Sequence, residues 1–564
     1  MILKFKFFNF FLIPIFLVNA QSNLIDTSFR SPIGIPLNLS GDFGELRSNH
    51  FHTGLDIKTN GKTNYKMYAI QDGFVSRINI SHWGYGKAIY VDHPNGYTSV
   101  YAHLSRFPEK IEKVIREYQY QKQNESVTLL LDSSKIPVAK SEVIAYSGNT
   151  GSSSGPHLHF EIRETKSEKP VNPLLFNFEV PDHRSPLIRN IKFYPLDGTT
   201  INNKCQPSSF KAIKNNGVFI LDQVSKITFS GPFGVGVDVV DYFDNSSNKC
   251  GVYSIKMYLD NQLKFSQKMD KLDFSTNRDI NIHKDYIEYH NKRRHFHKSF
   301  IHYNNKLEIY DTTLGNGVVH INDSNEHEIK YVIKDFAGNK SVAKVKVILN
   351  QNNQICSAVT SKEWLKEDAE NTIQKEGFKI SLPSNALYDS VAFNFQWKNE
   401  KTLKIMNKNI PLREKFILSM KLGTQMDSLF DKAFIAEINS KNRVINRKGE
   451  YKEGWVSSQI KSFGNYQLMV DTKPPIIQQL YFSKEEAVSK KLTFKITDNL
   501  SGLQHYNVWI DDVWVLSNYS FRNNRLIVPF DKYCPINNGT HSCRVEAIDE
   551  RNNISELKFE FTKK

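Results

Sequence analysis

The stretch Ser147-Gly-Asn-Thr-Gly-Ser-Ser-Ser-Gly-Pro-His-Leu-His-Phe-Glu-Ile162 decides the fold of the first third of this 564-residue chain. Its first half is rich in residues that tolerate positive φ and close backbone approach, which is typical of a loop at the wall of a cleft. From His157 onward, polar and apolar residues alternate, which predicts a β-strand. Because side chains two positions apart share a face of a strand, we expect His157, His159 and Glu161 on one side and the intervening apolar residues toward a core.

Two further motifs supply chemistry of the same kind. They are His52-Thr-Gly-Leu-Asp56 and Tyr101-Ala-His103-Leu104. With the His-Leu-His pair they bring together four histidines and one carboxylate. Two histidines and one aspartate, with an open fourth position for water, form the ligand set of a catalytic zinc ion, and the other two histidines could handle protons. Each motif alone is common by chance, and an isolated His-x-His is more often a solvated strand face.

Taken in order, the three motifs resemble the signatures of the lysostaphin/LytM-type zinc endopeptidases, family M23. The resemblance extends from about Ser31 to Phe176. It implies an N-terminal peptidase domain built on an antiparallel β-sheet, with one zinc ion per chain held by His52, Asp56 and His159.

The resemblance also assigns the two remaining histidines, His103 and His157, as the catalytic pair that does not bind the metal. One of them would take a proton from zinc-bound water, and the other would stabilise the tetrahedral oxyanion. The sequence leaves open which histidine has which role.

The chain departs from the family pattern at two places. Ser141 stands where the family usually has glycine, so a turn there is expected to be slightly altered. The segment 107–136 is longer than in minimal members. Ile111, Val114, Ile115 and Tyr118 recur within it at helical spacing, so the sequence predicts a helix that lines or covers one side of the cleft. Neither departure removes a ligand.

The other histidines receive non-catalytic interpretations. His50 is expected in a surface loop or outside the ligand set, and His82 and His93 are expected at the surface. A second His-x-His motif, His295-Phe-His297, lies between basic residues and has no carboxylate at the His-x-x-x-Asp spacing. It is interpreted as an exposed basic strand or turn.

The amino terminus and the net charge indicate in which cellular compartment the protein works. Residues 1–20 have two early lysines, an apolar run and Val-Asn-Ala before Gln21, which predicts a signal peptide; a membrane anchor is the alternative. We therefore expect an exported chain, periplasmic or at the cell surface or secreted, with no transmembrane span after cleavage. Without the two lysines the formal charge falls from +15 to +13. This favours anionic cell-wall partners over nucleic acid, with plain solubility as the other explanation.

Five cysteines are too few for a disulfide scaffold, and an odd number leaves at least one unpaired. Cys534 and Cys543 flank a turn-like insert and could bridge a hairpin in an oxidising compartment. A Cys205–Cys250 pair is a looser possibility.

The rest of the chain is predicted to be mainly β, as β-sandwich (Ig-like) modules after the peptidase domain. We expect a peptidase domain at 21–182, a β-sandwich region at 183–352, a β-rich region at 353–472 and an Ig-like module at 473–564. A short helix is predicted at Trp364–Lys375. Positioning the enzyme on the wall or on a partner is the expected role of the β regions, with pure spacers as the alternative.

An internal repeat supports the β-sandwich assignment. Asp244-Asn245 and the strand after it match Asp498-Asn499, and Asp335 to Asn339 matches Asp549 to Asn553. Such Asp/Asn turns could bind calcium, but Asx turns explain them without a metal, and this is the preferred interpretation.

These features predict an exported zinc endopeptidase that hydrolyses peptide cross-links of peptidoglycan. Its expected partners are peptidoglycan peptides, together with other cell-envelope components that the β modules could bind. Two alternatives are a non-catalytic M23-fold regulator of another wall hydrolase and a surface-binding protein. All five site residues are present, which favours catalysis.

Overall fold

The computed structural model describes residues 29–313, 315–350, 356–357, 360–480, 488 and 490–564. The predicted signal peptide at 1–20 lies outside these residues. Strands dominate the described chain, which confirms the mainly β class. Within the described ranges, no helix has both the length and the apolar character needed to cross a membrane.

The first part of the chain forms one antiparallel sheet and a small second one. The large sheet has the order β1-β2-β10-β6-β5-β4-β7, with β11 beside β10 and β8 beside β4, and β3 pairs with β9. The strands are β1 (Leu39–Gly41), β2 (Leu55–Lys58), β3 (Lys66–Tyr68), β4 (Gly73–Ile80), β5 (Lys87–Asp92), β6 (Tyr97–Ala102), β7 (Val127–Leu130), β8 (Pro137–Val138), β9 (Val143–Tyr146), β10 (His157–Glu164) and β11 (Pro170–Val171). A 3₁₀ helix, Pro173–Phe176, follows β11.

Strand β10 is the centre of the predicted site because it lies between β2 and β6. His159 is opposite Asp56 of β2 and opposite Ala102 of β6. Cross-strand neighbours project to the same face, so this register places three of the sequence motifs side by side. The predicted alternation is confirmed, since Leu158 and Phe160 are fully buried in the core.

The predicted helix in the 107–136 segment is confirmed as α1 (Glu109–Lys122). Acidic residues in its first turn suit the helix dipole. Ile111 and Ile115 pack on the core of this first sheet. The opposite face of the helix contacts the end of the chain, because Arg116 pairs with Asp531. Helix α1 therefore joins the first and last parts of the protein.

The turn at Ser141 keeps the geometry that a glycine would allow. Ser141 has φ of +74°, in the left-handed region. Its N–H donates to the carbonyl oxygen of Ala69 at 3.0 Å. The backbone turn is therefore retained, and the side chain is accommodated in a conformation that is strained for residues with a Cβ.

The second region has eleven strands that form a single core. Its order is β19-β16-β12-β13-β14-β22-β21-β17-β18-β20, with β15 beside β22. Strand β13 pairs with β12 through its first half and with β14 through its second, so it joins the two halves. The strands are β12 (Leu187–Pro195), β13 (Ser208–Asn215), β14 (Val218–Leu221), β15 (Ile227–Phe229), β16 (Phe233–Val240), β17 (Ser254–Leu259), β18 (Gln262–Lys268), β19 (Phe296–Lys298), β20 (Tyr310–Thr313), β21 (Glu326–Lys334) and β22 (Lys340–Leu349). The helical elements are the 3₁₀ helices Asn277–Asp279 and Gly315–Gly317 and the short helices α2 (Ile280–His283) and α3 (Tyr286–Lys292).

The third region has two five-stranded sheets and a two-stranded one. Their orders are β24-β25-β29-β33-β32, β27-β28-β34-β30-β31 and β23-β26. The helix predicted at Trp364–Lys375 is wrong: the segment forms β23 and β24, because Ile373 and the residues of β25 bury alternate side chains in a shared core. The strands are β23 (Trp364–Leu365), β24 (Asn371–Lys375), β25 (Phe378–Leu382), β26 (Val391–Ala392), β27 (Phe395–Trp397), β28 (Thr402–Ile405), β29 (Phe416–Lys421), β30 (Ala433–Ile438), β31 (Val444–Asn446), β32 (Glu450–Lys452), β33 (Trp455–Ile460) and β34 (Gly464–Val470), with a 3₁₀ helix at Thr424–Lys432.

The last module is a pair of four-stranded antiparallel sheets around one core. Their orders are β35-β36-β40-β39 and β38-β37-β41-β42. The strands are β35 (Ile476–Leu480), β36 (Lys491–Thr497), β37 (Leu503–Ile510), β38 (Val513–Trp514), β39 (Asn518–Ser520), β40 (Arg525–Pro529), β41 (Gly539–Asp549) and β42 (Ile554–Lys563).

In the structure, the first aspartate of the internal repeat is not the residue that the sequence match indicated. Asp498 directly follows β36, and the residue that directly follows the equivalent strand β16 is Asp241 rather than Asp244. The match to Asp244 was wrong because the loop after β16 is longer. Asp244 is paired at the surface with His183.

An apolar contact joins the first sheet and its loops to the second region. Phe43, Leu46 and Phe51 share a buried cluster with Met269 and Ile280. Burial of apolar surface on both sides stabilises a fixed arrangement of the two parts. The segment just before His52 is therefore held from outside its own domain.

The minor histidines differ partly from expectation. His50 is exposed and outside the ligand set, as expected. The surface assignment of His93 is wrong: it is buried between the Asp72 carbonyl and the Ser99 hydroxyl. The interpretation of the second His-x-His motif as exposed is also wrong, because β19 packs beside β16 and His297 is 2% exposed, in contact with His283.

The cysteine pairing also differs. Cys205 is bonded to Cys356, and Cys250, Cys534 and Cys543 are free and buried. The sequence could not show this pair because 151 residues separate its members. The Cys356 N–H donates to the Gly198 carbonyl at 2.8 Å, which brings the segment after β22 to the loop before β13.

Candidate metal centre

The structure brings His52, Asp56 and His159 together on the face of the large sheet. One ligand atom from each lies within 4.8 Å of the others. Asp56 Oδ1 is 3.1 Å from His52 Nε2 and 2.9 Å from His159 Nδ1, and the two nitrogens are 3.1 Å apart. Three donors thus converge on one point.

His52 is oriented by the backbone beside it. Its Nδ1–H donates to the carbonyl oxygen of Asp42 at 2.7 Å, which leaves the Nε2 lone pair facing Asp56. The backbone of His52 pairs with Glu45 and Gly44. This is the outer hydrogen bond that fixes the tautomer of a metal-binding histidine.

His159 uses the opposite ring nitrogen. Its Nε2–H donates to Glu161 Oε1 at 2.8 Å, so Nδ1 is the atom available to a metal. The Glu161 side chain is fully buried. It also accepts hydrogen bonds from Thr53, Tyr85 and Arg163. This supporting carboxylate orients the ligand and raises its basicity.

Some of these supporting residues could have been found from the sequence, and others could not. The alternation of β10 that predicted Glu161 continues to Arg163, two residues further on. Tyr85 and Arg47 carried no such signal. Arg47 donates to Asp56 Oδ2 at 3.2 Å, and so holds the carboxylate oxygen that faces away from the two histidines.

His103 and His157 lie beside the cluster with their rings 4.7 Å apart. His103 Nδ1 donates to the Thr150 carbonyl at 2.9 Å, and His157 Nδ1 donates to the Gly155 carbonyl at 2.8 Å. Both rings therefore keep Nε2 free of these backbone bonds. His157 Nε2 is 3.5 Å from Asp56 Oδ1. The loop quoted at the outset thus orients both histidines.

His103 has an unusual backbone conformation, with φ of +60°. Its N–H donates to the Tyr85 carbonyl, and a Cβ on Gly148 would come within 2.6 Å of its carbonyl oxygen. Strain of this kind is often found where a side chain must be aimed at a site. Gly148 is the residue that permits the close approach.

The charges of the metal-free site are strongly shifted by its surroundings. Burial lowers the pKa of His103 to about 3, helped by the neighbouring His159 and His157. Burial acts to lower the pKa of His159 as well, but hydrogen bonds and charges from Asp56 and Glu161 outweigh it and raise that pKa to about 9. For Asp56, the histidines outweigh the opposing effect of burial and hold its pKa well below the usual range. In the metal-free site His159 therefore carries a proton that a bound metal would displace, because its pKa is raised to about 9.

The last module covers the outer side of the loop that carries these carbonyls. Arg522 donates to the backbone carbonyls of Ser153 and Gly151. Phe521 contacts the ring of Trp83 at 4.9 Å. A cleft of about 480 Å³ lies between the loop and residues 519–522. Glu125, just after α1, closes one end by binding Tyr506 and the Tyr519 N–H.

The donor set fits zinc. Two imidazole nitrogens and one carboxylate oxygen are the ligands that catalytic zinc sites use, and each histidine already has its outer partner. Asp42 and Glu161 leave one nitrogen of each ring for the metal.

An antiparallel sheet that carries two histidines and one carboxylate on its face could hold a catalytic metal ion. Residues 50–127 and 119–173 match the profile of "Peptidase family M23". The N-terminal part of the chain is an M23 family peptidase domain. Residues 362–471 match a "Zu5-like domain".

The chain is similar to two kinds of curated bacterial protein. One is "DD-carboxypeptidase/endopeptidase Mpg" of Neisseria meningitidis serogroup B, 31% identical over 159 residues, or 28% of this chain and 29% of the relative. The other is an "Uncharacterized metalloprotease" of Haemophilus influenzae, 31% identical over 163 residues, or 28% of this chain and 29% of the relative. The chain spans under a third of the length of these relatives.

Similar solved structures include two catalytic domains. That of lysostaphin from Staphylococcus simulans is 22% identical and covers 25% of this chain and 91% of the neighbour, with a TM-score of 0.19. That of the prophage-encoded M23 protein EnpA from Enterococcus faecalis is 23% identical and covers 26% and 95%, with a TM-score of 0.20.

Proposed function

We propose that the chain is an exported zinc endopeptidase that hydrolyses peptide cross-links of peptidoglycan. The observation that carries the proposal is the orientation of all four site histidines: each has one ring nitrogen held by an outer partner and the other left for the site. A non-catalytic regulator would not need this arrangement. The Neisseria relative is named a carboxypeptidase and endopeptidase of the DD type, so bonds between D-residues are the first substrates to test.

His52, Asp56 and His159 would hold the zinc. When bound there, zinc supplies a Lewis acid that polarises a carbonyl and lowers the pKa of water toward about 7. Arg47 neutralises the outer oxygen of Asp56, and Glu161 keeps His159 turned toward the metal position.

His103 and His157 are the groups that move or share protons. Their Nδ1 atoms are occupied as donors, so Nε2 of each is a lone pair that can accept a proton from the attacking water. Once protonated, the same Nε2–H becomes a donor for the oxygen of the tetrahedral intermediate or for the leaving amine. Burial lowers the pKa of His103 to about 3, so its imidazole is neutral in the metal-free site and its Nε2 lone pair is available.

The loop and the last module form the wall where a peptide would lie. Trp83 is 62% exposed and Phe521 lies beside it. Their rings offer apolar surface to a stem peptide.

The test is digestion of purified peptidoglycan by the full chain, with products identified by mass. The zinc content of each protein is measured in parallel. His52→Ala is expected to lose both zinc and activity. His157→Ala is expected to keep zinc and lose activity by about 10²–10⁴-fold, the usual contribution of acid–base catalysis.

His50→Ala is the matched control because His50 is exposed, lies two residues before His52 and is outside the ligand set. It should match the unmodified chain. If the zinc-loaded chain releases no new amino terminus, the peptidase proposal is wrong. Equal release by the unmodified chain and by both site variants would instead refute the site assignment.

A further inference from the structure

A second acidic site lies where the peptidase domain joins the next region. Asp182 is in the linker between the 3₁₀ helix Pro173–Phe176 and β12, Asp241 follows β16, and Asp335 follows β21. One carboxylate oxygen from each lies within 4.8 Å of the others. The three residues are 8%, 1% and 2% exposed, in that order. Three formal negative charges therefore share a pocket that excludes water.

Within the described residues, each of the three carboxylates has one oxygen that accepts no hydrogen bond. Asp182 Oδ1 accepts from the Arg184 N–H and Asp335 Oδ1 from the Asn339 N–H, as Asx turns do. Among the described residues no donor reaches Asp182 Oδ2, Asp241 Oδ1 or Asp335 Oδ2. In the same part of the chain no basic side chain comes within 4.0 Å of these carboxylates. Buried, unpaired carboxylates are costly unless something else neutralises them.

We propose that Asp182, Asp241 and Asp335 bind a calcium ion that ties the peptidase domain to the region after it. Calcium is the favoured cation because the donors are all oxygens and mostly carboxylates, which hard cations prefer. Zinc would favour nitrogen or sulfur ligands. Calcium also accepts irregular geometry with six to eight oxygens, so backbone carbonyls of the linker can complete the shell.

The last module contains the same arrangement at equivalent positions. Asp471, Asp498 and Asp549 lie within 4.8 Å of one another by one ligand atom each. In each copy an asparagine amide also caps the linker aspartate: Asn553 donates to the Asp471 carbonyl at 2.9 Å, and Asn339 to the Asp182 carbonyl at 3.1 Å. The acidic cluster is thus a repeated feature of the junctions.

The second copy is better satisfied without a metal. Asp549 accepts hydrogen bonds through both oxygens, and Asp471 accepts from the Ser501 N–H. Within the described residues, Asp498 Oδ1 is the oxygen of this trio that no donor reaches. We therefore expect tighter calcium binding at the first site than at the second.

Protons are the competing occupant of the pocket. Burial raises the pKa of Asp241 to about 8, and the charges of Asp182 and Asp335 add to the effect. Burial likewise raises the pKa of Asp182 to about 6. Shared protons would make the pocket stable without calcium, and a calcium titration separates the two cases.

The site is connected to the candidate zinc centre through a short path. Asp241 and Cys250 exchange backbone hydrogen bonds, and the next N–H, that of Gly251, donates to Asp42 Oδ1 at 2.7 Å. The Asp42 carbonyl is the acceptor that orients His52. Calcium at the junction would hold this segment in place.

The experiment uses the zinc-loaded full chain and calcium ion as the probe. Calorimetry and the melting temperature are followed as calcium is added up to millimolar levels, the range of about 10⁻⁴–10⁻³ M that extracellular calcium modules use. Sodium chloride and magnesium at the same ionic strength are the reference. We expect a saturable heat and a melting temperature that rises with the logarithm of calcium concentration.

Asp335→Asn is expected to abolish the tighter binding and the rise in melting temperature that accompanies it, which leaves the weaker response of the second site. Without calcium the variant should melt no lower than the unmodified chain, because the amide removes a repelling charge. Asp241→Asn is the second variant in case the first does not fold. Asp244→Asn is the matched control, since Asp244 is in the same loop but pairs at the surface with His183.

The proposal is overturned if calcium gives no heat and no shift, as expected for shared protons. It is also overturned if magnesium or sodium gives an equal response, or if the tighter calcium response survives in Asp335→Asn. Peptidase activity is not part of the readout, so the outcome is independent of the proposed function.

Discussion

Replacing Glu161 by glutamine tests how the site holds its metal. The buried carboxylate accepts from His159, Tyr85 and Thr53 through Oε1 and from Arg163 through Oε2. An amide has one acceptor oxygen, and its NH₂ must face a donor. Keeping the Oε1 contacts preserves three hydrogen bonds and sacrifices one, so the NH₂ should turn toward Arg163. The fold should survive, with a loss of about 1.5–3 kcal/mol for the charged hydrogen bond.

The effect on zinc follows from the weaker acceptor for His159. Loss of such an outer partner typically costs 10–100-fold in metal affinity, or about 1.4–2.7 kcal/mol. Protons must be taken into account, because burial lowers the pKa of His159 but Asp56 and Glu161 outweigh it and raise that pKa to about 9. Zinc must displace this proton. The apparent affinity of the unmodified chain should therefore rise about tenfold per pH unit and level off near pH 9.

The assay is competition with a chromophoric zinc chelator from about pH 6 to about pH 10, a range that spans this pKa. In Glu161→Gln the plateau of the apparent zinc affinity should begin at lower pH, and the affinity at the plateau should be about 10–100-fold lower than in the unmodified chain. Glu164→Gln is the control, since Glu164 is on the same strand but pairs with Lys271 at the surface. A folded Glu161→Gln chain with an unchanged plateau would refute the idea that Glu161 orients a zinc ligand.

Three further changes test other parts of the structure. Ser141→Gly should raise the free energy of unfolding by up to about 1.5 kcal/mol in denaturant titration. It removes roughly 1–2 kcal/mol of left-handed strain and loses roughly 0.5–1 kcal/mol through the greater entropy of the unfolded chain. A loss of stability would contradict this. Arg522→Ala should lower kcat/KM by about 10–100-fold with zinc content unchanged, because it frees the loop that orients the proposed catalytic pair. Arg544→Ala is the control. Equal rates for Arg522→Ala and the unmodified chain would show that the contact between Arg522 and the loop does not affect catalysis. Cys205→Ser should lower the free energy of unfolding by about 2–4 kcal/mol and make the melting temperature insensitive to dithiothreitol. If the variant were as sensitive to dithiothreitol as the unmodified chain, the Cys205–Cys356 bond would be excluded as the cause of that sensitivity.

The sequence was sufficient where the pattern was local. Alternation along β10 predicted that His159 and Glu161 share a face, and helical spacing predicted α1. Non-local features were out of reach: Arg47 contacts Asp56 because a turn brings it back, and the acidic cluster at Asp182 needs three segments of the chain.

Errors in the predictions have a common physical origin. His297 was expected to be exposed because basic residues flank it, yet a strand can bury one face while its charged neighbours stay at the edge. The Asp244 match failed because the two matching Asp-Asn pairs are preceded by loops of different length. Which face of a strand is buried depends on the strands beside it, and a single sequence does not show which strands those are.

The contact between Arg522 and the loop at Ser153 has a consequence for the order of assembly. The two residues are 369 positions apart, so the ribosome completes the peptidase sheet long before the arginine exists. Domains generally fold as they emerge, beginning at the amino terminus. The newly made protease would therefore pass through a stage in which its sheet is folded but the loop behind its histidines is not yet clamped. The site would reach its final geometry only with the last module, when synthesis of the chain is nearly finished.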